Sequence, residues 1–184
     1  KLDIWSTPKL VPLYPEFPIQ YRNVQILTSV YETTPEAIAL HLGPPLTSLN
    51  NYVMIHNYFM PEVEGMGVVE ETNVMVGVSV KDLKGQEFIG GFSTNLLISS
   101  DIGLAQGREI HGQPKKLGNT KISVDKGQIE AKVYRNAELV SHVTASYKTE
   151  ESSIDALKSY FPFAQNINHK VIRNIDGTQG INQI

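Results

Sequence analysis

Between residues 52 and 99 the chain reads as three extended runs with only short, glycine-bearing turns between them, and this stretch most constrains the fold. Residues 52–60 are rich in aromatic and branched side chains. Residues 68–80 follow the turn Glu64-Gly65-Met66-Gly67, and residues 87–99 follow the turn from Lys81 to Gly85. Runs of this composition joined by tight turns pair as antiparallel strands. An earlier strand over 24–31 places Val24, Ile26, Thr28 and Val30 on one face. Later runs over 121–124, 129–134 and 138–148 form a meander about Asp125-Lys126-Gly127 and Arg135-Asn136-Ala137. Gly90-Gly91 predicts a kink within its run.

Helical signals are few and short. Thr33 and Glu36 form a capping box with Pro35 in the first turn, and Gly43 with Pro44-Pro45 closes that helix. Ser100 or Asp101 caps a single helical turn ending at Gly107, and residues 150–160 predict one more short helix. Pro8, Pro12, Pro15 and Pro18 dictate an extended arm over residues 1–22, because proline blocks helix formation. Trp5, Leu10, Leu13, Tyr14 and Phe17 predict that the arm lies on an apolar surface such as another subunit, which implies a homo-oligomer. The expected architecture is this arm plus one domain over 23–184, of α+β class but mostly β, arranged as a barrel or sandwich.

Composition narrows the function. The 184 residues are 41% hydrophobic and 19% charged, enough for one domain with a real core. A net charge of -3, spread evenly, argues against a nucleic-acid partner. The chain has no cysteine, so thiolate zinc sites and cysteine nucleophiles are excluded, and a reducing compartment, the cytoplasm, is the expected location. No apolar run approaches the roughly 20 residues of a membrane-spanning helix. Gly65-Met66-Gly67 lacks the third glycine and following helix of a dinucleotide site, and the five histidines are scattered. No metal, nucleotide or flavin cofactor is expected.

The residues that call for chemistry lie between Gly107 and Gly118, in the run Gly-Arg-Glu-Ile-His-Gly-Gln-Pro-Lys-Lys-Leu-Gly. Adjacent lysines on a rigid turn repel and add nothing to a core. An amine is nucleophilic only when neutral, and a free lysine with a pKa of about 10.4 is almost wholly protonated near neutrality. Apolar walls or a second cation disfavour the ammonium form.

This block resembles the signature of acetoacetate decarboxylase-like proteins, the general example of lysine activation by a neighbouring cation. Other pieces occur in the same order: Tyr31 before the 34–46 segment with its double proline, Gly65-Met66-Gly67 with Glu71 beyond, Lys148, and Arg173-Asn174-Ile175-Asp176-Gly177. The resemblance spans roughly residues 15–184. It implies a cone-like antiparallel β-barrel with a few short flanking helices and a buried site. It also implies that Lys115 forms a Schiff base with a keto-acid or ketone, with Lys116 beside it and Glu71 as acid/base. Gln113 in the lysine turn would contact substrate.

Two departures accompany the resemblance. The family's carboxylate-holding arginine aligns with Val24, while Arg22 would need a two-residue shift to replace it. The family's second glutamate aligns with His56. Poor decarboxylation of acetoacetate itself is therefore expected, with a larger carbonyl compound preferred. The rival readings are an imine-dependent aldolase or dehydratase, and a non-catalytic barrel that holds an anionic small molecule by charge. The sequence also stops a strand or two short of the family's usual end, so the barrel is expected to be completed by further residues or altered.

Overall fold

The structure, a computed structural model, describes residues 10–82, 84–146 and 155–184. In chain order the elements are β1 (Tyr21–Arg22), β2 (Gln25–Glu32), α1 (Pro35–Ala39), β3 (Thr47–Val63), β4 (Gly67–Lys81), β5 (Glu87–Ile98), α2 (Asp101–Glu109) and β6 (Lys115–Leu117). They continue with β7 (Asn119–Asp125), β8 (Gln128–Arg135), β9 (Glu138–Ser146), α3 (Asp155–Lys158), β10 (Lys170–Arg173) and β11 (Gln179–Gln183). The fold is mostly β with few, short helices.

Strands β3, β4 and β5 form the centre of a six-stranded sheet in which β1 and β2 both pair with β3 and the short β6 runs parallel to β5. Strand periodicity gives this sheet two distinct faces. Cross-strand register aligns His56, Asn73, Leu96 and Lys115, and in the next row Tyr58, Glu71 and Ile98. These residues share one face, and α2 lies over it. The opposite face packs against a three-stranded sheet, β7-β8-β9, through β7.

A buried polar chain joins the two sheets. The Thr72 hydroxyl donates to Asn57 Oδ1 at 2.9 Å, so the Thr120 hydroxyl at 2.6 Å donates to Thr72. The Thr120 amide donates to Glu70 Oε2 at 3.1 Å. Apolar clusters flank this chain. One gathers Ile38, Leu46, Val53, Val76, Val78 and Val80, and another Met60, Val63, Val69, Leu96 and Ile98.

Several expectations are corrected. The described strands do not close into a cone-like barrel: β1 and β2 lie at one edge of the main sheet and β6 at the other, with no pairing between them. Closure needs hydrogen bonds between first and last strands, and after β6 the chain leaves for the second sheet. The cap of α1 is Thr34, whose hydroxyl accepts from the Ala37 amide, so Thr33 and Glu36 form no capping box. Helix α2 runs nine residues, past Gly107 to Glu109. Gly90-Gly91 serves close approach rather than a kink, since residues 165–167 bond to Gly91 across it and the irregularity in β5 falls between Ser93 and Asn95. Apart from these corrections, the described part of the arm touches its own domain, where Tyr14 donates to Glu109, Pro15 covers Gly65 and Ile19 joins the Met60 cluster, while Leu10 and Phe17 stay exposed. Trp5, Lys148 and the start of the expected 150–160 helix lie outside the described residues.

Candidate active site

The lysine turn owes its shape to α2 and to two glycines. The Ser100 hydroxyl accepts from the Gly103 amide and starts the helix, which turns Gly103, Gln106 and Gly107 toward the sheet. Gly107 has no side chain to hold the lysine off: a Cβ there would stand 2.5 Å from Lys115 Cδ and 2.6 Å from Cε. Gly112 adopts a φ of +68°, and a Cβ there would meet Lys170 Cβ at 2.5 Å. The chain then doubles back, with the Gln113 amide on the Gly107 carbonyl at 2.9 Å and the Lys115 amide on the Gln113 carbonyl at 2.8 Å. Arg108 secures the return, its guanidinium donating to the Lys115 carbonyl at 3.3 Å.

The result is a cavity of about 450 Å³. Met60, Val69, Glu71 and Ile98 of the sheet form its floor, α2 one wall, His111, Gln113 and Lys115 another, and Tyr21 and Val24 its rim. Inside it Lys115 Nζ lies 2.9 Å from Glu71 Oε2, the two side chains being only 12% and 14% exposed. Charges so far withdrawn from water are held by each other and by the polar groups around them. A larger cavity, about 700 Å³, opens beside Pro45, Lys81 and Asn182, but it holds neither member of this pair. Among the described residues no group of three or more His, Cys, Asp or Glu could hold a metal ion.

Glu71 has phenols around it. Tyr58 stands opposite it in the β3–β4 register and lines the cavity. Burial, and secondly the charge of Glu71, push the Tyr58 phenol up to about 12. The same two causes raise Tyr21. His111 is shifted down by burial, then by the charges of Lys115 and Lys170, and its ring meets Phe17 of the arm edge-on at 5.9 Å. Near neutrality the site therefore presents protonated phenols and a neutral imidazole.

Of the residues singled out in the sequence, Lys115, Glu71, Gln113 and Val24 line this cavity together, and Lys116, Arg22 and His56 do not. Lys116 pairs with Leu97 on the opposite face, where its ammonium donates to Asn95 Oδ1 at 3.4 Å. It cannot be the second cation beside Lys115, because adjacent strand residues point to opposite faces. Arg22 is exposed on β1 opposite Glu62, and Asn23, at a φ of +56°, breaks the strand before β2. His56 shares the face of Tyr58 and lies against its ring at 5.5 Å, with Nδ1 2.8 Å from the Thr28 hydroxyl. Burial lowers its pKa, so it is a neutral support for Tyr58. Sequence reasoning missed Tyr21, Tyr58, Gln106 and His111 as site residues. The position of Tyr58, two residues from His56 on one strand face, was an available signal.

The sequence profile of the acetoacetate decarboxylase family matches residues 5–184. Acetoacetate decarboxylase 1 of Bradyrhizobium diazoefficiens is 29% identical over 96% of this chain and 68% of its own length. An acetoacetate decarboxylase of Clostridium beijerinckii is 27% identical over 94% of this chain and 68% of its own. The crystal structure of acetoacetate decarboxylase from Legionella pneumophila superposes with a TM-score of 0.83 at 27% identity, covering 97% of this chain and 69% of that one. The chain thus spans about two thirds of the length of these relatives. Over nearly all of its own length, in sequence and in fold, it belongs to the acetoacetate decarboxylase family of enzymes.

Proposed function

We propose that this protein is a lyase that forms an imine between Lys115 and the carbonyl carbon of a keto-acid. The observation that carries this reading is the Lys115–Glu71 pair inside the cavity, at 2.9 Å. Glu71 is placed to take the ammonium proton, which frees the amine to add to the carbonyl. Returning that proton to the carbinolamine oxygen expels water and leaves a protonated imine. When the substrate's carboxylate departs as carbon dioxide, the electron pair of the broken carbon–carbon bond moves into the imine and an enamine results. Glu71, reprotonated from solvent, delivers that proton to the enamine carbon, and water then adds to the resulting imine, releasing the ketone and regenerating the amine.

Among the described residues, none that lines the cavity carries a guanidinium to hold the carboxylate. Val24 on the rim offers neither charge nor donor, and Arg22 lies outside the cavity. A larger carbonyl compound, positioned by several contacts, fits this rim better than acetoacetate, and an aldol or dehydration outcome of the same imine is the second reading.

Sodium borohydride with a panel of keto-acids tests the proposal. The reduced ligand's mass is expected on the peptide containing Lys115 and absent in Lys115→Arg, whose guanidinium cannot form the imine. Glu71→Gln is expected to lower kcat by about 10²- to 10⁴-fold with little change in KM. Carbon dioxide release is expected to be slower from acetoacetate than from larger keto-acids. Labelling of surface lysines without Lys115 sinks the imine. Fast acetoacetate turnover abolished by Arg22→Ala sinks the account of the carboxylate.

A further inference from the structure

Gln106 is the only residue other than glycine that α2 contributes to the cavity, standing between Gly103 and Gly107 on the helix face turned to the sheet. It is 5% exposed, and among the described residues its side-chain amide makes no hydrogen bond. Its amide atoms are not among the fully buried unpartnered ones, which among the described residues are Asn57 Nδ2 and Asn73 Oδ1, so the amide meets the open cavity and can bind what enters it. Gly103 lets the helix settle on Ile98 and Gly107 admits Lys115, and Gln106 stands between them. The amide of Gln113 leans over Gly107 from the lysine turn, its oxygen 3.0 Å from where a Cβ of Gly107 would be, and it too has no partner among the described residues. Two uncharged amides thus flank the approach to Lys115.

We infer that Gln106 is a specificity-determining residue that binds a hydroxyl group on the part of the substrate remote from the carbonyl carbon, so that the substrate is a hydroxylated carbonyl compound. A primary amide presents one donor and one acceptor side by side and no charge. A hydroxyl answers both from a single atom, whereas a second carboxylate would call for a cation, and the cavity's lysine is already paired with Glu71. The inference rests on the imine at Lys115.

The test compares two ketones of equal size, 4-hydroxy-2-butanone and 2-pentanone, in which a hydroxyl replaces a methyl. Each is trapped on the protein with borohydride, and the half-saturating concentration for labelling Lys115 is measured. In the unaltered protein the hydroxy-ketone is expected to label at a concentration about tenfold lower, or less still. Gln106→Met should bring the two ketones close to parity by weakening the hydroxy-ketone alone, with 2-pentanone labelling retained. Gln106→Asn keeps the polarity but withdraws the amide by one methylene, and it should lose the preference likewise, which preserves the test if the methionine variant does not fold. A preference unchanged by both substitutions overturns the role of Gln106. No label at Lys115 from either ketone overturns the imine, and this inference with it, a result distinct from equal labelling.

Discussion

Two neighbouring lysines in one strand serve different surroundings, because consecutive side chains leave a strand on opposite sides. Lys115 enters the cavity and Lys116 meets Asn95 on the other face. What keeps Lys115 against Glu71 is the absence of a side chain at position 107. Gly107→Ala places a methyl where Lys115 Cδ and Cε now lie. The lysine stem is flexible, so the fold should survive, but the amine must move. A displacement near 1 Å at a reacting group costs about 10²-fold in rate. Gly107→Ala is thus expected to keep its circular-dichroism spectrum and thermal midpoint while borohydride labelling of residue 115 falls by about that factor. Labelling at the original rate would show that the lysine has room to spare.

At the scale of elements, β3 carries a histidine whose protonation the fold resists. His56 has a pKa lowered by burial, so the unfolded chain binds a proton at a higher pH than the folded one does. Above the ordinary histidine value of about 6.5 both states are neutral and the fold loses nothing. As pH falls below it the unfolded state gains the proton first, and stability declines until the folded-state value is passed. His111, lowered likewise, adds to the same window from the exposed lysine turn. Urea midpoints measured between pH 7.5 and 5 are therefore expected to fall, and His56→Gln should flatten the decline. A decline of equal slope in that variant would place its origin elsewhere.

For the whole molecule, what matters is how two separate sheets behave as one body. Thr120 of β7 reaches the buried pair Thr72 and Asn57 of the main sheet, on the face away from the cavity. Thr120→Val removes one hydroxyl and leaves that chain a donor short, at a cost of about 1–3 kcal/mol. The urea midpoint is expected to drop with the slope of the transition unchanged, while labelling of Lys115 per folded molecule stays constant. Loss of labelling without loss of stability would mean that the second sheet tunes the site.

Local sequence determined a good deal of this protein. The alternating runs became β3, β4 and β5, and Asp125-Lys126-Gly127 and Arg135-Asn136-Ala137 became hairpin turns, because pleat period and turn chemistry act over a few residues. The mostly-β class and the short helices follow from the same local signals. Family resemblance, not periodicity, implied that Glu71 and Lys115 act together. They lie 44 residues apart and meet only once the β4–β5–β6 register is set. Tertiary structure alone decided that the described strands leave the main sheet open, since closure depends on which strand finds the edge of β6. It also decided that Arg22 faces away from the cavity and that Lys116 sits behind the sheet. It placed Gln106 and Tyr58 in the lining of the Lys115 cavity, because burial and facing are properties of packed neighbours, which no short stretch of chain contains.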